Sequence, residues 1–341
     1  MDPGKLFAEA EAVLKQGRDI EAARLYGPLL EFSDISGVVA FRLGEIFNRL
    51  GQPEQSLTCH RTALEANEAL ARVITPAEHR YHHYVNSPAS EVQVPNCTLC
   101  EKQGILYAVY NCITNADFLP GFDPVRSWLH CSACDHLWAS AYPDDLGGIL
   151  TASTPTFHEK PNPRFINNIG RSLLEVAKRA PAMSLLEVGC GAGEYTVTAV
   201  EMGFRVEGVE LRPAYASAVA AMAGIPVYSK DFMTFPEDTK FGVVAMGDVL
   251  EHFANPPADV IIKARDLLVP NGLMHISTPN FRSAFSMITR DKDPMWRVCE
   301  HLNYFSRGSL TKLLDACGLS LEHYEISSRY NGSMEIIARL R

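Results

Sequence analysis

The sequence predicts an α/β protein: parallel strands covered by helices on both faces, preceded by an α-helical repeat region and a small cysteine-rich module. Three observations predict it. From Met183 onward, strand-like and helix-like stretches alternate, the pattern of a parallel sheet. Small and aromatic residues near the N-terminus recur at a fixed period. Between these regions stand Cys97-x-x-Cys100 and Cys131-x-x-Cys134. The 341 residues suggest two or three domains, and 47% hydrophobic against 21% charged residues supplies a sizeable core. No apolar run approaches the length of a membrane-spanning helix. Glu9 and Glu11 interrupt any leader-like stretch, so the expectation is a cytoplasmic protein with no membrane partner. A formal charge of −9 argues against nucleic acid. Nine cysteines in such a chain read as metal ligands and buried thiols, not as disulfides.

In residues 1–75, Gly17 and Gly51, Ala22 and Ser56, Tyr26 and His60, and Ala10 and Gly44 are each 34 apart. The spacing predicts helices near 5–16, 19–31, 37–50 and 54–70, and it resembles two tetratricopeptide repeats. Two repeats bury little surface alone, so they are expected to pack on the rest of the chain, on a second copy or on a protein partner. Residues 76–95 carry Pro76, Pro88 and Pro95 and read as a linker, with His79, His82 and His83 as solvated side chains.

Within residues 96–142, the two Cys-x-x-Cys turns offer four thiolates, Cys97, Cys100, Cys131 and Cys134, the donor set of tetrahedral zinc. Four protein ligands leave no position for a substrate water, so the expected Zn2+ is structural. The alternating Ile105-Leu-Tyr-Ala-Val-Tyr run predicts a strand between the turns, hence a zinc ribbon. Cys112 lacks the paired spacing.

Residues 143–341 form the third predicted unit. Pro143 to Pro163 is turn-rich and should drape across the α/β domain, and a helix is expected from about Arg164 to Arg179. The most informative segment is Ser184-Leu-Leu-Glu-Val-Gly-Cys-Gly-Ala-Gly-Glu-Tyr. A strand runs into Gly189, Gly191 and Gly193, then into a helix, so the backbone can turn sharply against a ligand. A dinucleotide fits poorly. The final glycine of its fingerprint is missing, and Glu194 would face the pyrophosphate.

The run from Glu187 to Gly193 resembles the first motif of class I S-adenosylmethionine-dependent methyltransferases, and four later motifs follow in order. The resemblance covers about residues 160–341 and is nearest to ubiquinone-type small-molecule enzymes. It implies a Rossmann-like seven-stranded sheet with S-adenosylmethionine as cofactor. It also implies a set of roles. Glu187 and the three glycines shape the cofactor loop; Glu210 holds the ribose hydroxyls; Lys230, Asp231 and Phe232 meet the adenine; Asp248 lines the methionine end. The tail Cys131-Ser-Ala-Cys-Asp-His-Leu-Trp is similar to zinc modules that precede sugar and natural-product methyltransferases.

An alcohol acceptor needs a base, and His252 and His301 follow predicted strands where open α/β sheets bind ligands. Each has a structural alternative as a loop anchor. Asp248-Val-Leu-Glu251-His252 also resembles clusters that hold a divalent cation in related enzymes, which would place magnesium, manganese or zinc near Asp248, Glu251 and His252. The long Phe281–Glu300 segment carries Arg282, Arg290, Lys292, Trp296 and Arg297, which as a closing loop would favour an acidic or phosphorylated acceptor. Cys190 reads as a packing residue. The expected function is O-methylation of a small molecule: a sugar, a nucleotide-linked compound or a natural product. N-methylation, a protein substrate recruited by the repeats, and an inactive adaptor remain open.

Overall fold

A computed structural model describes residues 2–66, 70, 90–114, 118–119, 121–153 and 160–341. Most of the predicted linker, including its three histidines, lies outside the described residues. The N-terminal region forms α1 (Pro3–Lys15), α2 (Asp19–Tyr26), α3 (Ser33–Arg49) and α4 (Pro53–Ala66). The predicted second helix stops early because Pro28 has no backbone donor, and residues 27–31 tighten into a 3-10 turn. Of the positions that recur every 34 residues, Ala10, Ala22, Tyr26, Gly44, Ser56 and His60 are buried, whereas Gly17 and Gly51 are exposed at the turns.

Next come β1 (Glu91–Gln93), β2 (Ile105–Asn111), β3 (Val125–Cys131), β4 (His136–Ala139) and β5 (Ala141–Pro143). β2, β3 and β4 form an antiparallel sheet, and β1 pairs with β5. Then α5 (Leu146–Ala152) and α6 (Ile166–Ala177) lead into alternating elements: β6 (Ser184–Val188), α7 (Glu194–Glu201), β7 (Arg205–Glu210), α8 (Pro213–Ala223), β8 (Val227–Ser229), β9 (Phe241–Gly247), α9 (Pro257–Asp266), β10 (Leu268–Pro279), α10 (Ala284–Thr289), β11 (Asn303–Tyr304), α11 (Arg307–Ala316), β12 (Leu319–Ile326) and β13 (Ser333–Leu340).

Seven strands make one sheet in the order β12-β13-β10-β9-β6-β7-β8. The expected all-parallel sheet needs one correction. β13 runs antiparallel to both β10 and β12, because the six residues between β12 and β13 leave room for a hairpin but not for a crossover helix. Alternate residues serve the two faces. Leu186, Val188, Val244 and Met246 point to α9 and α11. Leu185, Val243 and Ala245 point to α6 and α7. Strand order reverses between β6 and β9, which opens a crevice at their carboxyl ends.

The Phe281–Glu300 segment is pinned between the modules. Trp296 stacks on Tyr110 of β2 and meets Tyr304 edge-on, and its carbonyl accepts from Trp128 Nε1 at 3.2 Å. Arg297 donates to Glu45 of α3 at 2.6 Å and lies over the Tyr110 ring. Arg282 donates to Asp135 at 2.9 Å, and Asp291 accepts from Arg49 of α3 at 3.2 Å. The expectation that this segment offers its cations to an acceptor is therefore corrected for Arg282 and Arg297, whose charge is spent on structural carboxylates. No helix among the described residues is long and apolar enough to cross a membrane.

Candidate active site

β6 delivers the chain to the crevice, and three glycines with positive φ (74° at Gly189, 51° at Gly191, 93° at Gly193) turn it into α7. A Cβ on Gly189 would lie 2.4 Å from Val249, and one on Gly193 would lie 2.6 Å from Met222. Only glycine satisfies both the backbone and the space. The amide of Gly189 donates to the Val209 carbonyl at 2.7 Å, tying the loop to β7. Cys190 is buried inside the loop against Gly208, where a Cβ would lie 2.5 Å from its sulfur; it is a packing residue.

Glu210 ends β7 almost fully buried. Its carboxylate accepts from the Gly191 amide at 3.1 Å and the Arg212 amide at 3.0 Å, which leaves lone pairs for a diol. Arg212 in turn donates to the Leu150 carbonyl at 3.0 Å, so α5 lies along the rim of the crevice. Across that rim the Asn162 amide donates to Glu194 at 2.7 Å. Glu187 points away from solvent and takes a hydrogen bond from Thr196. Burial pushes its carboxyl up to about 8, so it is neutral below that pH. Lys230 and Asp231 are exposed after β8, and Asp231 caps the next turn through the Met233 amide at 2.8 Å. Phe232 is buried in the sheet core, edge-on to Phe253, while Met233 beside it is half-buried.

Asp248 follows β9 in a left-handed conformation (φ 55°) and accepts from Ser277 at 3.1 Å. It is also bonded to Arg329 from the β12–β13 hairpin. The guanidinium lies against Gly247, 3.3 Å from where a Cβ would stand. Arg329 escaped the sequence reading because a basic residue in a C-terminal hairpin carries no local motif. The buried group behind it, Tyr195 with His275 (2.8 Å) and Ser327 with Glu335 (2.7 Å), is equally silent in sequence.

The predicted cation cluster is rearranged. Asp248 is engaged by Arg329, and His301 takes its place: ligand atoms of Glu251, His252 and His301 all lie within 4.8 Å of one another. The two imidazoles meet edge-on with centroids 4.8 Å apart. His252 Nδ1 is 3.1 Å from the Glu300 carbonyl, which can only accept, so Nδ1 carries a proton, and in the neutral ring the lone pair is on Nε2. Burial, reinforced by His252, holds His301 well below the ordinary histidine range and therefore neutral. Glu251 is fully buried. One carboxylate oxygen accepts from Thr278 at 2.9 Å, and the other has no hydrogen-bond partner among the described residues. Burial, followed by the charge of Asp248, raises its pKa well above the carboxylate range.

At the other module, Cys97 and Cys134 sulfurs are 3.5 Å apart, Cys100 and Cys131 3.5 Å, and Cys100 and Cys134 3.7 Å. Four sulfurs at the zinc–thiolate distance around a tetrahedral ion stand about 3.8 Å apart, so the donor set fits zinc in number, chemistry and spacing.

Residues 163–324 match the model of a family described as a methyltransferase domain. No curated protein matches the chain in sequence. Among solved structures, the chain is similar to magnesium protoporphyrin IX methyltransferase from Synechocystis PCC 6803 with bound S-adenosylhomocysteine, at 15% identity and a TM-score of 0.43, covering 52% of this chain and 83% of that one. It is also similar to the N-methyltransferase NodS from Bradyrhizobium japonicum WM9, at 16% identity and a TM-score of 0.44, covering 57% and 96%. A third likeness is to the CcbJ methyltransferase from Streptomyces caelestis, at 17% identity and a TM-score of 0.43, covering 56% and 94%. With the glycine loop, the acid after β7 and the family match all falling on one stretch of chain, this protein carries a methyltransferase domain and is an S-adenosylmethionine-dependent methyltransferase.

Proposed function

We propose that the enzyme methylates a hydroxyl of a small molecule, with the His252–His301 pair on the acceptor side. The observation that carries the reading is the pair itself: two neighbouring imidazoles, one held neutral by burial and the other oriented by a backbone carbonyl, next to the end of β9. An N-methyltransferase acting on a neutral amine needs no strong base, so these groups favour oxygen. A sugar, nucleotide-linked or natural-product alcohol is the acceptor class the resemblance suggests.

S-adenosylmethionine, when bound, supplies a methyl group already activated on sulfur. The glycine loop would carry its methionine portion and Glu210 its ribose, with Glu187, Lys230, Asp231, Phe232 and Asp248 around them. His252 Nε2 takes the hydroxyl proton as the oxygen becomes a nucleophile, and its Nδ1–H bond to Glu300 keeps the ring from turning during the transfer. Glu251, His252 and His301 could instead hold a divalent cation, since their donors converge and one Glu251 oxygen lacks a partner among the described residues. We also read Cys97, Cys100, Cys131 and Cys134 as a structural zinc site. The helical region is the proposed surface for self-association or a protein partner.

Calorimetric titration with S-adenosylhomocysteine tests the cofactor site. Micromolar binding to the wild type should weaken about 10- to 100-fold in Glu210→Ala, since the variant removes a charge-assisted bidentate contact. An acceptor screen with His252→Gln and His301→Gln then tests the base. The expected result is a lower kcat with unchanged binding of S-adenosylhomocysteine. Full activity in both variants would refute the role of the imidazole pair.

A further inference from the structure

The cysteine knuckle and the imidazole pair are joined by a single buried side chain. Asn303 is two residues beyond His301 and is 2% exposed. Its amide nitrogen donates to the Phe253 carbonyl at 3.2 Å, one residue beyond His252. A carbonyl can only accept, so the amide orientation is fixed and Oδ1 must face the other way. There it accepts from Thr98 Oγ1 at 3.0 Å and lies 3.2 Å from His136 Nε2. Thr98 stands inside the Cys97–Cys100 turn, and His136 is two residues beyond Cys134. The Asn303 amide group thus spans from the two cysteine turns to the chain segment bearing His252.

The backbone repeats the connection. The Leu302 amide donates to the Glu251 carbonyl at 2.8 Å, and the Leu302 carbonyl accepts from the Ala139 amide at 2.9 Å. Asn303 and Tyr304 then pair with Trp138 and Leu137 as β11, the edge strand of the cysteine-bearing sheet. His301 therefore sits in a strip whose two neighbours are clamped, one to the His252 turn through Glu300 and the other to the ribbon through Leu302.

We propose that Asn303 is a positioning residue: through Thr98 it transmits the geometry of the four-cysteine site to His252 and His301, making the ribbon part of the acceptor side of the active site. The proposal rests on the reading of that pair as the acceptor-side base. Thr98 is the informative position because it is not a ligand. Thr98→Val keeps the shape and the four sulfurs and removes only the hydroxyl, which takes one donor from Asn303 Oδ1 and a hydrogen-bond partner from His136 Nε2.

The test uses the full chain, zinc-loaded, with histidines labelled at Cε1 and the His252 and His301 signals assigned from His252→Gln and His301→Gln. Metal content and binding of S-adenosylhomocysteine are measured on the same samples. In Thr98→Val, zinc stoichiometry should stay at the wild-type value and S-adenosylhomocysteine affinity within about twofold. Both imidazole signals should move beyond their linewidths or broaden. Thr98→Ser, which restores the hydroxyl, should return them. Unmoved signals in Thr98→Val with zinc bound would overturn the proposal. So would movement that Thr98→Ser does not reverse. Asn303→Asp, which turns the donor to Phe253 into an acceptor, should move the same two signals; unchanged signals there also refute it. The readout is the imidazoles themselves, not turnover. Moved signals beside a fully active His252→Gln would sink the base reading and leave the coupling intact.

Discussion

Glu187 is a residue whose chemistry departs far from its sequence context. It is the next-to-last residue of β6, is nearly inaccessible, and holds its proton up to about pH 8 because burial penalises the anion. Its ordinary value is near 4.5. Between those two values the folded state binds more protons than the unfolded one, so stability falls as pH rises through that window. Glu187→Gln keeps a group that can accept from Thr196 and cannot ionise. The variant should be more stable than the wild type, by on the order of 3–5 kcal/mol at pH 8 and much less at pH 5, in denaturant titrations at the two values. Equal gains at both would show that the carboxyl is ionised in the fold. The role of His252 separates at the same scale: the sequence points to the residue, but only the Glu300 carbonyl tells which nitrogen bears the proton.

Among elements, α4 is coupled to pH through a buried histidine that packs against α3. His60 of α4 is fully buried beneath Gly44, where a Cβ would lie 2.7 Å from its ring, and burial lowers its pKa to about 4. The unfolded chain takes up the proton near 6.5, so the stabilisation is complete above that pH and is lost as pH falls toward 4. Hydrogen exchange should show α3 and α4 opening at pH 4.5 while the central sheet stays protected, and His60→Gln should flatten the dependence. The clasp from Arg297 to Glu45 belongs to the same interface, with both side chains mostly buried. Arg297→Ala should cost about 1–3 kcal/mol, because it strips the mostly buried Glu45 carboxylate of its guanidinium partner. Adding Glu45→Gln should recover part of that loss in a double-mutant cycle.

For the whole molecule, legibility in the sequence followed range. The glycine loop, the strand–helix alternation and both cysteine pairs are local patterns, and each reads directly from spacing. The reversed β13 is less legible, since a short hairpin connection settles it and no residue type marks it. The exchange of Asp248 for His301 in the acidic–imidazole cluster is invisible, because it depends on a hairpin arginine 81 residues away in the chain. Two cations of the Phe281–Glu300 segment misled for the same reason: Arg297 and Arg282 find partners in α3 and in the cysteine module, distances that periodicity cannot report. Metal removal gives a prediction at this scale. Stripping the four-cysteine site with a chelator should abolish amide protection in β2–β4 and also at Asn303 and Tyr304, while the β6–β9 core stays protected. Retained protection at Asn303 and Tyr304 would separate β11 from the ribbon.

The pairing of β11 with β4 also sets an order of events during synthesis. His136 and Asn303 are 167 residues apart. When the cysteine turns leave the ribosome, the strand that completes their sheet has not been made, and translation needs on the order of ten seconds to reach it. Throughout that interval the open edge of β4 is exposed to other nascent chains. A metal held by the four cysteines, as proposed, would close the turns early, but the module becomes whole only once Asn303 and Tyr304 have been made. A fragment ending before Asn303 should therefore aggregate through that edge, and a transplanted ribbon would have to carry its distant partner strand with it.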